Sequence, residues 1–165
     1  MMKAIVAINR AGYIGKGGDL MYSISGDMKY FASTTKGKAV VMGRKTLLSL
    51  PQGKGLKGRT NILLSRTISD EEAKERNVVV VRDVKGLPST LKKLGVSEED
   101  TFVIGGGEIY RELLPDCDTL YVTRILRDDV GEVRFPDIPS NFVLTKGKVK
   151  TERGVRFRFD RYDRR

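Results

Sequence analysis

The residue best placed to do chemistry is a single acid, Asp27, in the segment that spans residues 24–31. On a helix, Ile24, Met28 and Phe31 share one face with Asp27, and Ser25 is a residue type typical of a helix N-cap. A carboxylate on an apolar face is costly unless it has a partner, so Asp27 is a candidate pocket acid for a cationic or amidine-like ligand. The alternative is that Asp27 complements the helix dipole in the first turn, and the segment alone does not decide between the two.

A second group of residues has the composition of an anion site. One buried apolar run ends in residues 43–46 (Gly-Arg-Lys-Thr), and another ends in residues 65–66 (Ser-Arg). In a parallel sheet, ligands bind beyond the carboxyl ends of the strands, where free helix N–H groups and cations can hold a phosphate. The alternative is that these cations simply follow the strands on the surface.

The third signal is a glycine triplet. Residues 102–104 form an apolar run, residues 105–107 are all glycine, and Glu108, Ile109 and Tyr110 begin a helical pattern. Glycines at a strand-to-helix junction allow close approach of a diphosphate, although a plain tight turn has the same composition. Tyr110 stands where the third glycine of the Rossmann fingerprint would be, so that motif is absent.

The composition excludes several classes of chemistry. The 165 residues include no histidine and one cysteine, Cys117. Histidine-based triads and dyads and an intrachain disulfide are therefore impossible within this chain, and we expect no metal site. The net charge of +10 favours either nucleic-acid binding or an enzyme whose ligands are anions.

The basic excess is concentrated near the end of the sequence. Residues 146–165 hold nine Lys/Arg and three acids. In this stretch apolar residues alternate with charged ones, which predicts a strand with Arg156, Arg158 and Asp160 on a solvated face.

The elements that must position these residues follow from hydrophobic patterning. Strands are predicted at 3–8, 39–42, 61–64, 78–81, 102–104, 120–125, 142–150 and 155–162. Helices are predicted at 26–35, 44–50, 70–76, 86–94 and 107–114. Continuous apolar runs indicate strands buried on both faces. We therefore expect one α/β domain over residues 1–165, with a mixed sheet of about eight strands, mostly parallel, flanked by helices and ending in an antiparallel hairpin.

The start of the sequence bears on compartment. Only five apolar residues, 4–8, precede Asn9-Arg10, which is too few for a signal-peptide core or a membrane span. We expect a cytoplasmic protein with no membrane association.

The order of these signals resembles the dihydrofolate reductase family over essentially the whole chain. The segments that carry the resemblance are Ala7, Ile14-Gly15, the Asp27 helix, Met42-Gly43-Arg44-Lys45-Thr46, Gly58-Arg59-Thr60-Asn61, Ile104-Gly105-Gly106-Gly107, Tyr110 and Phe135-Pro136-Asp137. The resemblance implies NADPH-dependent reduction of 7,8-dihydrofolate, with hydride transfer to C6 and a proton to N5. We also expect a monomer that needs no nucleic acid.

The resemblance also assigns residues to a substrate site. Asp27 would bind the ring nitrogen and 2-amino group of the pterin, Arg59 the α-carboxylate of the glutamate tail, and Thr123 would support the carboxylate. The remaining substrate positions are Ile5, Ala7, Met28, Phe31, Leu50, Leu56, Ile104 and Tyr110.

The implied cofactor site has three parts. Ala7, Ile14 and Gly15 would flank the nicotinamide. The 2′-phosphate positions are Gly43, Arg44, Lys45, Thr46, Leu64, Ser65 and Arg66, and the diphosphate positions are Gly105, Gly106, Gly107, Glu108 and Ile109. A cis peptide bond is expected between Gly105 and Gly106.

The chain departs from the family pattern at Met21-Tyr22, where a Pro-Trp or Leu-Trp pair is usual. We expect Tyr22 to line the pocket beside Asp27 and to take part in catalysis by holding a water through its hydroxyl; the alternative is a loop-packing role. Two other functions remain open at this point: a reductase of another pterin or of a riboflavin-pathway pyrimidine on the same fold, and a basic nucleic-acid-binding module.

Overall fold

The computed structural model describes residues 1–16, 19–20 and 22–165. Its strands are β1 (Met2–Asn9), β2 (Tyr13–Lys16), β3 (Asp19–Leu20), β4 (Ala39–Met42), β5 (Thr60–Leu64), β6 (Val79–Val81), β7 (Thr101–Gly105), β8 (Cys117–Ile125), β9 (Val133–Arg134), β10 (Phe142–Thr145), β11 (Lys150–Glu152) and β12 (Val155–Arg164). Its helices are α1 (Ser25–Thr35), α2 (Arg44–Ser49), α3 (Asp70–Glu75), α4 (Leu87–Lys93) and α5 (Gly107–Leu113).

The apolar runs of the sequence form the centre of one mixed sheet. Its order is β10-β12-β8-β1-β7-β4-β5-β6, with β11 also paired to β12. Pairing is parallel from β8 through β6 and antiparallel where β12 meets β8 and β10. All four residues of β4 are buried, as expected for a central strand covered on both faces. The predicted mixed α/β sheet is confirmed.

The C-terminal hairpin differs from its prediction in two ways. The predicted strand 142–150 is split into β10 and β11, because Gly147 passes against β12 so closely that a Cβ would lie 2.2 Å from the Phe159 carbonyl oxygen. Asp160, expected on a solvated face, is 1% exposed. It accepts hydrogen bonds from the Gly147 N–H and from the Arg158 guanidinium, so the interruption between β10 and β11 covers part of the face that the alternation assigned to solvent.

A small second sheet was not predicted. It has the order β3-β2-β9 and brings the segment after β1 against the segment after β8. Strands of two to four residues give too little alternation to be recognised in a sequence. This sheet places Gly15 next to Glu132, whose N–H donates to the Gly15 carbonyl at 2.7 Å.

The core lies on both faces of the main sheet. One apolar cluster contains Val6, Val103 and Leu91 and packs under α4 and α5, whereas the other contains Ile5, Val40 and Leu47. In the described part of the chain, no helix combines the length and apolar character needed to cross a membrane.

Candidate active site

Asp27 lies in the first turn of α1, over the carboxyl-terminal half of β8. The Thr123 hydroxyl donates to Asp27 Oδ1 at 2.5 Å, across 96 positions of sequence. Beside the carboxylate is a small enclosed cavity, roughly large enough for one water molecule, lined by Asp27, Ala7, Ile14, Tyr22 and three further residues. The sequence-predicted pocket acid is therefore brought together with three other predicted positions.

Burial dominates the electrostatics of Asp27. Desolvation raises the pKa of its carboxyl above the usual range, and the hydrogen bond from Thr123 opposes part of that rise. Tyr30 and Tyr110 interact electrostatically with Asp27, and their own pKa values are raised, first by burial, so both are neutral at physiological pH. Of the two roles that the sequence left open, the pocket acid fits these observations better than an exposed acid at a helix dipole.

Tyr22 lines the same cavity, but its hydroxyl is turned to a neighbouring loop. It donates to Asp129 Oδ2 at 2.5 Å and accepts from the buried Asn9 amide at 3.4 Å. Its pKa is raised, chiefly by burial. The hydroxyl proton is thus engaged by Asp129, which favours the loop-packing alternative for the hydroxyl while the ring faces the pocket. Met21, the other position that departs from the family, lies outside the described residues.

The apolar wall expected for the substrate is largely assembled. Ile5, Phe31, Leu50, Leu56 and Ile104 all belong to one hydrophobic cluster. These residues come from β1, α1, the end of α2, the loop before β5, and β7, so only the sheet brings them together.

Two other predicted wall residues are not part of this cluster, and their contact with a substrate stays a prediction. Met28 is 60% exposed on α1. Tyr110 is buried in the cluster on the opposite face of the sheet, where its hydroxyl donates to the Ile5 carbonyl at 2.7 Å. Tyr110 therefore supports β1 from behind, and direct contact with a substrate stays a prediction.

Arg59 is held at the end of α1. Its Nε donates to Thr35 Oγ1 at 2.8 Å, and its two terminal nitrogens donate to the Lys57 and Ala32 carbonyls at 2.7 and 3.0 Å. A guanidinium has five N–H groups, so these three bonds fix its plane and leave donors for a carboxylate.

The two glycine motifs meet at one point. The Gly43 N–H donates to the Gly105 carbonyl at 2.9 Å, and the Gly105–Gly106 peptide bond is cis, as the resemblance implies. A Cβ on Gly43 would lie 2.9 Å from the Ile109 side chain, and one on Gly105 would lie 3.1 Å from Thr46 Oγ1. Gly107 is equally crowded, with Val133 at 2.6 Å. A side chain at Gly43 or Gly107 would therefore crowd its neighbour, and Gly105, with a φ angle of 129°, has a backbone conformation that favours glycine.

The cationic residues flank this junction. Arg44, Lys45 and Arg66 are exposed, and Ser65 is partly buried. The Ser65 oxygen accepts the Thr67 and Ile68 N–H groups, so its own proton points elsewhere. Exposed cations, a directed hydroxyl and a glycine junction form a donor set that fits a phosphorylated dinucleotide.

The remaining predicted cofactor positions surround these groups. Leu64 and Ile14 are partly buried and pack against the core, Gly15 is buried in β2, and Glu108 is exposed in the first turn of α5. Their contact with a cofactor stays a prediction.

Sequence reasoning missed three kinds of contact. Glu72 on α3 lies 3.6 Å from the Arg44 guanidinium, Asp129 holds Tyr22, and buried Asn9 donates to the Asp129 carbonyl at 2.7 Å. The position of Asn9, a polar residue at the end of an apolar strand, is a local signal that could have marked it as a candidate site residue. No local pattern marks the other two.

Comparisons with known proteins agree with this geometry. The family model described as dihydrofolate reductase matches residues 1–164. Dihydrofolate reductase of Staphylococcus haemolyticus is 35% identical over 159 residues, which cover 96% of this chain and 89% of that protein. Dihydrofolate reductase of Bacillus subtilis is 33% identical over 164 residues, covering 99% and 90%. Dihydrofolate reductase type 1 of Escherichia coli is 35% identical over 143 residues, covering 86% and 85%.

Proposed function

Because this chain belongs to the dihydrofolate reductase family, it is an NADPH-dependent oxidoreductase that forms tetrahydrofolate from dihydrofolate, and we propose that Asp27 is its substrate-binding and catalytic acid. The observation that carries this assignment is the carboxylate of Asp27, bonded to Thr123 beside a small cavity at the carboxyl end of β1.

Asp27 binds the pterin ring nitrogen and 2-amino group. A partly desolvated carboxylate attracts a paired N–H donor more strongly than a solvated one does, because burial has already removed part of the water that the ligand would otherwise have to displace. The Thr123 hydroxyl occupies one lone pair of Asp27 Oδ1 and leaves the other lone pairs of the carboxylate for the N–H groups of the pterin. The substrate ring then rests on the apolar cluster of Ile5, Phe31 and Leu50.

Arg59 binds the α-carboxylate of the glutamate tail. Its three hydrogen bonds to α1 and to the preceding loop hold the guanidinium in one orientation before the substrate arrives. Preorganisation of this kind reduces the side-chain entropy lost on binding.

The cofactor site is formed by the glycine junction and the cations around it. When bound, NADPH supplies the hydride that reduces C6 of the pterin. Arg44, Lys45, Ser65 and Arg66 hold the 2′-phosphate by charge-assisted hydrogen bonds, and the backbone of residues 105–107 approaches the diphosphate. Ile14 and Ala7, which line the cavity with Asp27, flank the nicotinamide.

A water molecule brings the proton to N5. The chain has no histidine that could act as a proton donor to N5. The hydroxyl proton of Tyr22 is already donated to Asp129. The cavity beside Asp27 has room for about one water, which the carboxylate can orient while it polarises the pterin.

We further propose a cytoplasmic monomer, a single domain over residues 1–165, that acts without nucleic acid. The net charge of +10 is then an adaptation to two polyanionic ligands, since a positive surface speeds their capture.

The decisive experiment follows loss of absorbance at the NADPH band. Purified protein should oxidise NADPH only when dihydrofolate is added, and Asp27→Asn, which keeps the side-chain shape, should lose most of that turnover at neutral pH. Circular dichroism verifies that the variant is folded. Full turnover in a folded Asp27→Asn protein would remove Asp27 from its assigned role, and strong, steeply salt-dependent DNA binding would contradict the proposed independence from nucleic acid.

A further inference from the structure

The amino terminus of α1 is capped by a residue from the other end of the chain. Glu152, at the end of β11, accepts the Ser25 N–H at 2.7 Å through Oε2 and the Gly26 N–H at 3.0 Å through Oε1. The Ser25 hydroxyl also donates to Glu152 Oε1 at 3.0 Å. One carboxylate thus satisfies two of the four helix N–H groups that have no partner inside the helix.

This arrangement replaces the local cap that the sequence predicted. The N-cap position is occupied by Ile24, whose side chain makes no capping hydrogen bond, and Ser25 is the first helical residue. Ile24 is instead 4% exposed and packs with Ile125 and Phe157. The N-cap side chain is thus apolar and buried, and the polar partner of the helix terminus is supplied by the hairpin.

The hairpin holds Glu152 in a defined place. Glu152 pairs with Val155, and the two residues between them, Arg153 and Gly154, both have positive φ angles of 51° and 78°. A two-residue turn of this kind matches the twist of the flanking strands and fixes their register. Gly26 leaves space for the carboxylate, because a Cβ at that position would lie 3.3 Å from Glu152 Oε1.

We propose that Glu152 is a positioning residue for catalysis: by capping α1 from the C-terminal hairpin, it fixes the helix turn that carries Asp27 over Thr123. The inference rests on the proposed role of Asp27. The link is short, since the Asp27 and Met28 N–H groups both donate to the Ile24 carbonyl at 3.1 Å in the same turn that Glu152 holds. The hydrogen bond from the Gly26 N–H lowers the pKa of the Glu152 carboxyl, so the cap is charged at neutral pH.

Four variants separate positioning from general stabilisation. Glu152→Ala removes every contact, and Glu152→Gln keeps one acceptor oxygen. Ser25→Ala removes only the hydroxyl contact. Ser97→Ala removes a comparable cap far from the site, where the Ser97 side chain accepts the Asp100 N–H at 3.2 Å.

Steady-state and single-turnover kinetics should rank the variants. Glu152→Ala should lower kcat/KM for dihydrofolate about fivefold, the ratio that corresponds to a helix cap worth about 1 kcal/mol. Glu152→Gln should fall between it and the parent. The KM for NADPH should change little in all four variants, because the residues proposed for its phosphate groups lie around α2, α5 and the end of β5, and only the nicotinamide positions Ala7 and Ile14 lie beside Asp27. Ser25→Ala, which keeps both backbone N–H contacts to Glu152, should lie closer to the parent than Glu152→Gln does, and Ser97→Ala should retain parental kinetics.

A second measurement does not depend on turnover. Amide hydrogen exchange at Ser25 and Gly26 should be faster in Glu152→Ala than in the parent and unchanged in Ser97→Ala. Faster exchange with parental kinetics would show a structural cap only and overturn the positioning role. Unchanged exchange would overturn the cap itself. A parent protein that does not oxidise NADPH with dihydrofolate would instead refute the proposed function. The hydrogen-exchange measurement tests the cap independently of turnover, so the two failures can be told apart.

Discussion

Replacing Thr123 by valine tests the centre of the site with a minimal change of shape. Thr123 is 1% exposed, and its hydroxyl donates to Asp27 Oδ1 at 2.5 Å. Valine has nearly the same volume and suits β8, so the substitution removes one donor and keeps the packing. Among the described residues, no other side chain donates to that carboxylate.

The size of the effect follows from the charge on the acceptor. A hydrogen bond to a charged group contributes roughly 1.5–3 kcal/mol, and each 1.4 kcal/mol is a factor of about ten. We therefore expect kcat/KM for dihydrofolate to fall by about 10- to 100-fold. Since the Thr123 bond is the contribution that lowers the pKa of Asp27, its loss raises that pKa further. The acid limb of the kcat/KM profile should then move to higher pH, because a protonated Asp27 cannot pair with the pterin N–H groups.

The assay is the pH profile of kcat/KM with saturating NADPH, and the matched control is Thr123→Ser. Serine keeps the hydroxyl and loses a methyl group, so it should retain most of the activity and the parental acid limb. A folded Thr123→Val protein with parental kcat/KM and an unshifted profile would refute the argument that this bond sets the charge of Asp27. Equal losses in the valine and serine variants would attribute the effect to packing.

Three further predictions concern the other groups of the site. Asp27→Asn should raise Tm at neutral pH by a few degrees, which corresponds to about 1 kcal/mol of stability. The pKa of Asp27 is raised in the folded state, so the charged carboxylate destabilises the fold fully at pH values above that pKa. The stability gained by the variant should disappear in thermal melts below about pH 4, where Asp27 of the parent is protonated in both the folded and the unfolded state. Arg44→Ala combined with Arg66→Ala should raise the KM for NADPH about 100-fold more than that for NADH, since two charge-assisted bonds to the 2′-phosphate are lost; equal KM changes would remove both residues from the phosphate site. Tyr22→Phe should slow the hydride step about three- to tenfold with unchanged NADPH binding, because the bond to Asp129 that holds the ring over the pocket is worth about 1 kcal/mol. Asp129→Asn should have a smaller effect in the same direction, and a parental single-turnover rate in the phenylalanine variant would show that this bond does not position the ring for catalysis.

The parts of the fold that a sequence predicts well are those with strong local signals. Continuous apolar runs located the central strands, and helix boundaries agree within one residue at α1, α2, α3, α4 and α5. The glycine junction was also marked locally, since three consecutive glycines between a strand and a helix permit close backbone approach, although a plain tight turn has the same composition. These features depend on residues that are neighbours in the sequence, so periodicity and residue type are sufficient to predict them.

The parts that sequence reasoning missed depend on contacts between distant residues. Asp160 looked like a solvated residue because its own strand alternates, and it is buried because the segment around Gly147 crosses β12. Glu152 and Asp129 reach partners more than 100 positions away. No hydrophobic period or residue propensity encodes such pairs. Ser25 was wrongly predicted as the helix cap, because a favourable residue type does not exclude a capping side chain from a distant part of the sequence.

The site accepts a local cost that the rest of the fold offsets. A carboxylate with a burial-raised pKa destabilises the folded state above that pKa. Among the described residues no cation forms a salt bridge with Asp27, and the one side-chain hydrogen bond to it comes from the neutral Thr123 hydroxyl. A salt bridge would have relieved this cost, but it would also have occupied the lone pairs that the pterin needs. The fold instead stabilises the surroundings of Asp27: Thr123 on the adjacent β8 is buried, and the α1 terminus is held by Glu152. A neutral donor to Asp27 and a charged cap in the same helix turn therefore leave the acid both fixed in position and available to its ligand.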